Sequence, residues 1–332
     1  MQPLNIDRLY SGGLIANYYC SASCKHCLYG SSPSWPKEYM TANTAAQLCR
    51  TMKTLGCHSV HIGGGEPLLN WQGLRAVLDV LQQEDVTVEY VETNASWYRT
   101  EAQARTVLSQ LKQLGVSTLL ISISPFHNEC VPLDKVTKLI RACQAEKVLV
   151  FPWQEQFFDE LAAKPTDEVH TLKEWEAEYG RGYTQKLRHR FGLTMRGRAL
   201  LFYESMLPHK PIDELLRESH GCTELAQNGH FHMDLFGHYQ PGSCSGLAVA
   251  VSDLGFPLDP KQYPIITALY GQGVRGLFEI AIKLGFRAQA TYATKCHLCM
   301  DLRRYLVQEA DLDSIELEPR EYYEQVYVGL RS

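Results

Sequence analysis

Three features of the 332-residue sequence predict an α/β fold, a parallel barrel followed by a C-terminal extension of a β-hairpin and a helix. Segments rich in β-branched and apolar residues alternate with helical patterns from residue 14 to about 151, which marks β/α units around a parallel sheet. Polar, motif-bearing loops follow the predicted strands, where a parallel barrel keeps its chemistry. Past residue 199 the alternation gives way to short strands about Gly237 and a distant Cys-x2-Cys pair. A hydrophobic content of 45% supports a sizeable core and argues against disorder.

In chain order, strands are predicted at residues 14–19, 59–62, 86–91, 118–123 and 148–151. The helices between them fall at 43–55, capped by Thr41 or Asn43, then at 74–83, 101–114 and 133–145. A sixth β/α unit is blurred, between residues 186 and 202, after the polar stretch 165–183.

The organising stretch is Tyr18-Tyr19-Cys20-Ser21-Ala22-Ser23-Cys24-Lys25-His26-Cys27, three thiols within eight residues directly after the first apolar run. A structural zinc site wants four ligands, so a tight trio with no nearby fourth points to a cluster that keeps one iron open. The Cys-x3-Cys-x2-Cys spacing resembles that of the radical S-adenosylmethionine (SAM) superfamily. That resemblance implies a partial (β/α)6 radical SAM barrel, with Cys20, Cys24 and Cys27 holding a [4Fe-4S] cluster whose fourth iron takes the amino and carboxylate groups of SAM. His26 stands where the family usually has an aromatic residue behind the adenine.

After the second strand comes Gly63-Gly64-Gly65-Glu66-Pro67, where residues without Cβ let backbone approach a ligand and Glu66 offers a carboxylate to an ammonium. This resembles the family's Gly-Gly-Glu motif for the SAM amino group. Asn94 after the third strand and Ser124 after the fourth match turn polars that relatives direct at cofactor or substrate, and Gln154 after the fifth is a further SAM-binding candidate. Loop 125–132, Pro-Phe-His-Asn-Glu-Cys-Val-Pro, carries more chemistry than a connector needs. His127 and Glu129 are candidate substrate ligands or proton carriers, and Cys130 a candidate hydrogen-atom donor. Cys49, Cys57 and Cys143 read as packing residues.

The segment Arg196-Gly197-Arg198-Ala199 resembles the Gly-Arg-Ala run many relatives have near the barrel's end. Beyond it, Cys222, Cys244, Cys296 and Cys299 provide four soft ligands, enough for zinc or an iron-sulfur cluster. Their arrangement resembles the Twitch extension, the shortened relative of the SPASM domain, which implies one auxiliary [4Fe-4S] cluster. A helix is expected over 277–284, and His230, His232 and His238 are expected at the surface. The expected organisation is a barrel at 1–205, an auxiliary-cluster domain at 206–310, and a tail at 311–332 packing on the barrel and covering its open bottom.

The net charge of −5, without a basic block, excludes an electrostatic footprint for nucleic acid. No apolar window has the length of a membrane span, and the N-terminus lacks a signal core, so a cytoplasmic protein without a membrane partner is expected. Eleven cysteines then read as thiols and metal ligands rather than disulfides. The resemblance implies a radical SAM enzyme that abstracts hydrogen from a peptide or small metabolite and is fed electrons by a flavodoxin- or ferredoxin-type reductant. A dehydrogenase using the auxiliary cluster as electron acceptor is the alternative within the class. A non-catalytic iron-sulfur or zinc protein is the alternative outside it, disfavoured by the Gly-Gly-Glu motif. With about 13 residues before the first strand, no built-in leader-peptide-binding domain is expected, which weakens the peptide reading without removing it, since a separate partner could deliver the peptide.

Overall fold

The structure, a computed structural model, describes residues 3–330. Five β/α steps come first: β1 (Gly12–Asn17), α1 (Ala42–Thr54), β2 (Ser59–Gly64), α2 (Trp71–Gln83), β3 (Thr87–Thr93), α3 (Glu101–Gln113), β4 (Thr118–Ser122), the short α4 (Pro125–Asn128), α5 (Leu133–Glu146) and β5 (Leu149–Trp153). All six residues of β1 are buried, as a strand covered on both faces requires. The side chains of Thr41 and Thr100 cap α1 and α3 by accepting from the backbone N–H three residues on, each cap being worth about 1 kcal/mol. α2 buries Leu74, Val77, Leu78 and Leu81, one stripe at helical spacing, against the sheet.

The chain continues through α6 (Phe158–Ala162), α7 (Leu172–Tyr179), α8 (Tyr183–Phe191), α9 (Gly197–Tyr203), β6 (Lys210–Pro211) and α10 (Ile212–Arg217). The remaining elements are β7 (Phe231–Asp234), β8 (His238–Gln240), β9 (Val249–Ala250), α11 (Pro264–Gln272), α12 (Val274–Lys283), β10 (Thr291–Tyr292), α13 (Lys295–Gln308) and α14 (Tyr322–Gln325). The main sheet has eight strands in the order β5-β4-β3-β2-β1-β7-β8-β9. β1 to β5 run parallel, and β7 lies parallel to β1 on its other side. β8 and β9 add on in antiparallel fashion.

Two expectations are corrected. No strand forms between residues 186 and 202, where α8 and α9 stand; the sixth parallel strand is β7, the first arm of the predicted hairpin. Without it β1 would present an open edge, and Gly12, whose Cβ would meet Phe231 O at 2.5 Å, lets the two backbones close. The sheet therefore runs without a break from the barrel into the segment expected to be a separate extension. The tail is the second correction. It packs on the cysteine loop rather than across the bottom: Ser32 Oγ donates to Gln325 Oε1 at 2.8 Å, and the Arg198 guanidinium donates to Gln325 O and Val326 O. The predicted helix at 277–284 is found as α12.

Candidate functional site

β1 delivers the chain to the cysteine loop, which folds back on itself through Cys20 N donating to Ser32 O at 3.1 Å and Cys27 N donating to Cys24 O at 3.0 Å. Cys20, Cys24 and Cys27 line one cavity of about 500 Å³. Cys20 Sγ accepts from Ala22 N and from Asn94 Nδ2, both at 3.4 Å. Burial, and then the charge of Glu66, raises the Cys20 pKa; Cys24 is raised by its hydrogen bond with Cys130 and by burial. Thiolates here need a bound cation to offset that cost, and a soft trio with N–H donors aimed at sulfur fits an iron-sulfur cluster.

The loop is held from behind by Arg198, a fully buried guanidinium. It donates to Cys24 O and Ser31 O, each at 3.0 Å, besides its two bonds to the tail, while Arg198 N donates to Cys27 O. Gly197 adopts φ +56°, and a Cβ there would stand 2.4 Å from Leu28 O, so only glycine lets this backbone approach the loop. The Gly-Arg-Ala resemblance marked the segment; the arginine's role as a clamp joining cysteine loop and tail was not read from the sequence.

Gly64, Gly65, Asn94, His26 and His127 line the same cavity as the three thiols. A Cβ on Gly65 would meet Tyr19 O at 2.1 Å, so this strand-to-helix turn needs its glycine to pass the cysteine loop. The His26 ring stacks on Phe126 at 4.9 Å and meets Phe191 at 4.8 Å and His127 at 4.6 Å, an aromatic box in which burial lowers its pKa. Such a flat neutral face suits a purine. His127 Nδ1 and Ser124 Oγ are 2.7 Å apart; Ser124 is buried as the cap of α4 and orients His127 rather than lining the cavity.

Glu66 is not aimed at the cavity. Its carboxylate is fully buried and accepts from Leu68 N at 3.1 Å, Asn94 N at 2.7 Å and Thr93 Oγ1 at 3.0 Å. It braces the Gly-rich turn against the turn after β3, leaving backbone at Gly64 and Gly65 for an ammonium. Gln154, in a left-handed conformation, donates to Phe191 O at 3.0 Å and also stays off the cavity. Glu129 is taken up by Lys25 at 2.6 Å and by Leu172 N at 3.1 Å, which anchors the cysteine loop. Cys130 lies against Cys24 and is not among the residues lining the cavity. Cys49, Cys57 and Cys143 are buried, as expected of packing residues.

Burial, opposed by its hydrogen bonds from Asn94, Leu68 and Thr93, pushes the Glu66 pKa up to about 7. The folded state then holds a proton here that the unfolded chain has released. This group's stabilising contribution is complete below pH 4.5 and is lost as pH rises to about 7. Glu66→Gln is expected to remove that slope from the stability-pH profile measured by denaturant melts, while SAM affinity changes less than about threefold. A carboxylate clamped on the ammonium would instead cost about tenfold or more, the equivalent of a charge-assisted hydrogen bond.

Cys222, Cys244, Cys296 and Cys299 meet around a second cavity, with Arg196, Lys295 and Arg303 beside them. Cys296 and Cys299 stand on the first turn of α13, whose N-terminus favours an anion. Cys222 and Cys244 arrive from turns packed against each other, where a Cβ on Gly242 would meet Glu224 O at 2.3 Å. Glu224 lines the same cavity and pairs with Lys295 at 2.8 Å, which leaves Arg196 and Arg303 as the cations whose charge suits an anionic all-thiolate centre. His238 pairs with Asp234 at 3.5 Å, and His230 and His232 line the barrel cavity; His230 is exposed as expected, whereas His232 is buried, against the expectation of a surface residue.

Residues 14–149 match the Radical SAM superfamily. The chain is similar to the putative peptide biosynthesis protein YydG of Bacillus subtilis (strain 168), at 20% identity over 121 residues, covering 36% of this chain and 38% of the relative. The matched stretch thus spans little over a third of that relative. Among solved structures, BtrN in complex with AdoMet and 2-DOIA aligns at TM-score 0.43 and 14% identity, covering 81% of this chain and 90% of that one. Streptococcus suis SuiB bound to precursor peptide SuiA aligns at TM-score 0.35 and 13% identity, covering 93% and 74%. Among the described residues no helix is long and apolar enough to cross a membrane.

Proposed function

We propose that the chain, whose residues 14–149 match the Radical SAM superfamily, is a member of it and an enzyme that abstracts a hydrogen atom from a peptide or small metabolite held in the barrel. The observation that carries this reading is the convergence of Cys20, Cys24 and Cys27 on one cavity with Gly64, Gly65, Asn94 and His26. A [4Fe-4S] cluster and SAM bound here supply one-electron cleavage of SAM to methionine and a 5′-deoxyadenosyl radical, the difficult chemistry that cofactors perform. The protein's own residues do the rest. The three thiolates ligate the cluster, Asn94 donates to the Cys20 sulfur, the glycine turn offers backbone to the amino acid end of SAM, and His26 presents a flat ring to the adenine. Arg198 and the tail fix the loop. A flavodoxin- or ferredoxin-type protein is the reductant in this reading, in a reducing, cytoplasmic setting that keeps eleven free thiols intact.

The experiment is release of 5′-deoxyadenosine. Anaerobically reconstituted protein given dithionite and SAM produces it on this reading, and iron-loaded protein that produces none refutes the reading.

Cys222, Cys244, Cys296 and Cys299 hold a second [4Fe-4S] cluster in the same proposal, all four irons being ligated by protein. Full ligation favours electron transfer, so a dehydrogenation that passes the substrate's second electron to this cluster is the second reading. Wild-type protein is expected to carry about twice the iron and sulfide of a Cys222→Ala/Cys296→Ala variant. Equal iron in both, with zinc in the wild type alone, would make this a zinc site.

A further inference from the structure

Three imidazoles carried by the barrel strands converge on the same cavity, His232 packing edge-on against Tyr29 of the cysteine loop at 5.4 Å. His61 comes from β2, His232 from β7, and His230 from the residue preceding β7. Gly13 of β1 pairs with both His61 and His232, so the two histidines flank one glycine across three adjacent strands. A Cβ at Gly13 would stand 2.1 Å from His61 Nε2, so the glycine is what lets the ring lie across the sheet toward its neighbours. Ring centroids are 5.3 Å apart for His61 and His230, 5.0 Å for His230 and His232, and 5.6 Å for His61 and His232. One nitrogen from each falls within 4.8 Å of the others, a span that small ring rotations close onto one ion.

The second observation is the state of those nitrogens. His61 and His232 are 2% and 7% exposed, and the Nδ1 atom of each is buried without a hydrogen-bond partner among the described residues. An unsatisfied buried polar atom costs about 1–3 kcal/mol, so two of them on neighbouring rings whose residues line a cavity call for a ligand. Glu92 Oε1 lies 3.6 Å from His61 Nε2, the carboxylate neighbour that metal-bound imidazoles usually have. The contrast is the group Glu204, His209 and His297 near the surface, where both His209 nitrogens are within hydrogen-bond reach of Glu204 O and Thr291 Oγ1.

We propose that His61, His230 and His232 bind one divalent transition-metal ion, of the class that imidazoles prefer, with an open coordination position toward the barrel cavity. Three protein ligands and an open site are the arrangement of a metal that meets substrate. The ion takes an oxygen or nitrogen donor of the substrate, fixing it in the cavity that the cysteines also line. No thiol takes part, so the inference stands apart from the SAM-cleavage reading.

The test uses protein with its iron-sulfur sites reconstituted, stripped with a chelator and dialysed against Zn2+, with bound zinc counted by mass spectrometry. Co2+ as a second probe reports the ligand shell by X-ray absorption. The expected result is one tightly bound equivalent with a nitrogen and oxygen shell, and at least tenfold weaker binding in His230→Ala and in His61→Gln. His230 is exposed, so its variant folds, and an unchanged visible iron-sulfur absorption verifies that in both. No bound equivalent in the wild type, a sulfur shell, or an affinity indifferent to both substitutions overturns the proposal.

Discussion

Cys24→Ala is expected to lose the SAM-binding iron and to abolish 5′-deoxyadenosine release, a loss of several orders of magnitude, while the four-thiol site keeps its iron. In the proposed assignment the three thiols lining the cavity are the whole protein ligand set, and two sulfurs would not hold the cluster with one iron left for SAM. Cys130, beside Cys24, is the one thiol that could substitute, and its presence sharpens the test. A Cys24→Ala/Cys130→Ala protein separates rescue by the neighbour from an error in the assignment. Iron per chain and deoxyadenosine by chromatography are read together. Full deoxyadenosine release from the double variant would remove Cys24 from the ligand set.

Arg198→Ala carries the second large effect. The guanidinium meets four backbone carbonyls, those of Cys24, Ser31, Gln325 and Val326, in a fully buried setting. Each orphaned carbonyl costs about 1–3 kcal/mol, so a total of roughly 4 kcal/mol or more is expected against a stability of about 5–15 kcal/mol. Arg198→Lys keeps the charge but not the planar fork and should recover only part of it. Denaturant melts give the stability, and hydrogen exchange at residues 20–32 and 322–328 locates the loss. Exchange that stays slow in both segments would show that the arginine does not clamp them.

What could be read from the sequence follows what local chemistry dictates. The cysteine spacing, the glycine turn, the Thr41 cap and the five β/α steps are all set by residues close together in the chain, and each was found within a few residues of its predicted place. The errors are non-local. β7 pairs with β1 across more than 200 residues, and nothing near Phe231 announces a parallel partner rather than a free hairpin. The histidine trio depends on that pairing, since His61 meets His230 and His232 only once β7 lies beside β1. Glu66 is a different case: motif logic identified the residue, and its side-chain partners, Thr93 and Asn94 of the next turn, come from a segment that the motif does not include. Glu129 and Gln154 were likewise polar groups at the correct end of the barrel that local partners satisfy. A partial signal existed for Arg198, an arginine directly after a glycine in a segment otherwise turning apolar.

The central claim is that Cys20, Cys24 and Cys27 hold a cluster to which SAM binds directly. The measurement that tests it most directly is electron paramagnetic resonance of the reduced Cys222→Ala/Cys296→Ala protein, in which a single cluster remains, recorded with and without SAM. The account predicts a signal that shifts on adding SAM. A signal that SAM leaves unchanged, in protein carrying a full cluster's worth of iron, would contradict it.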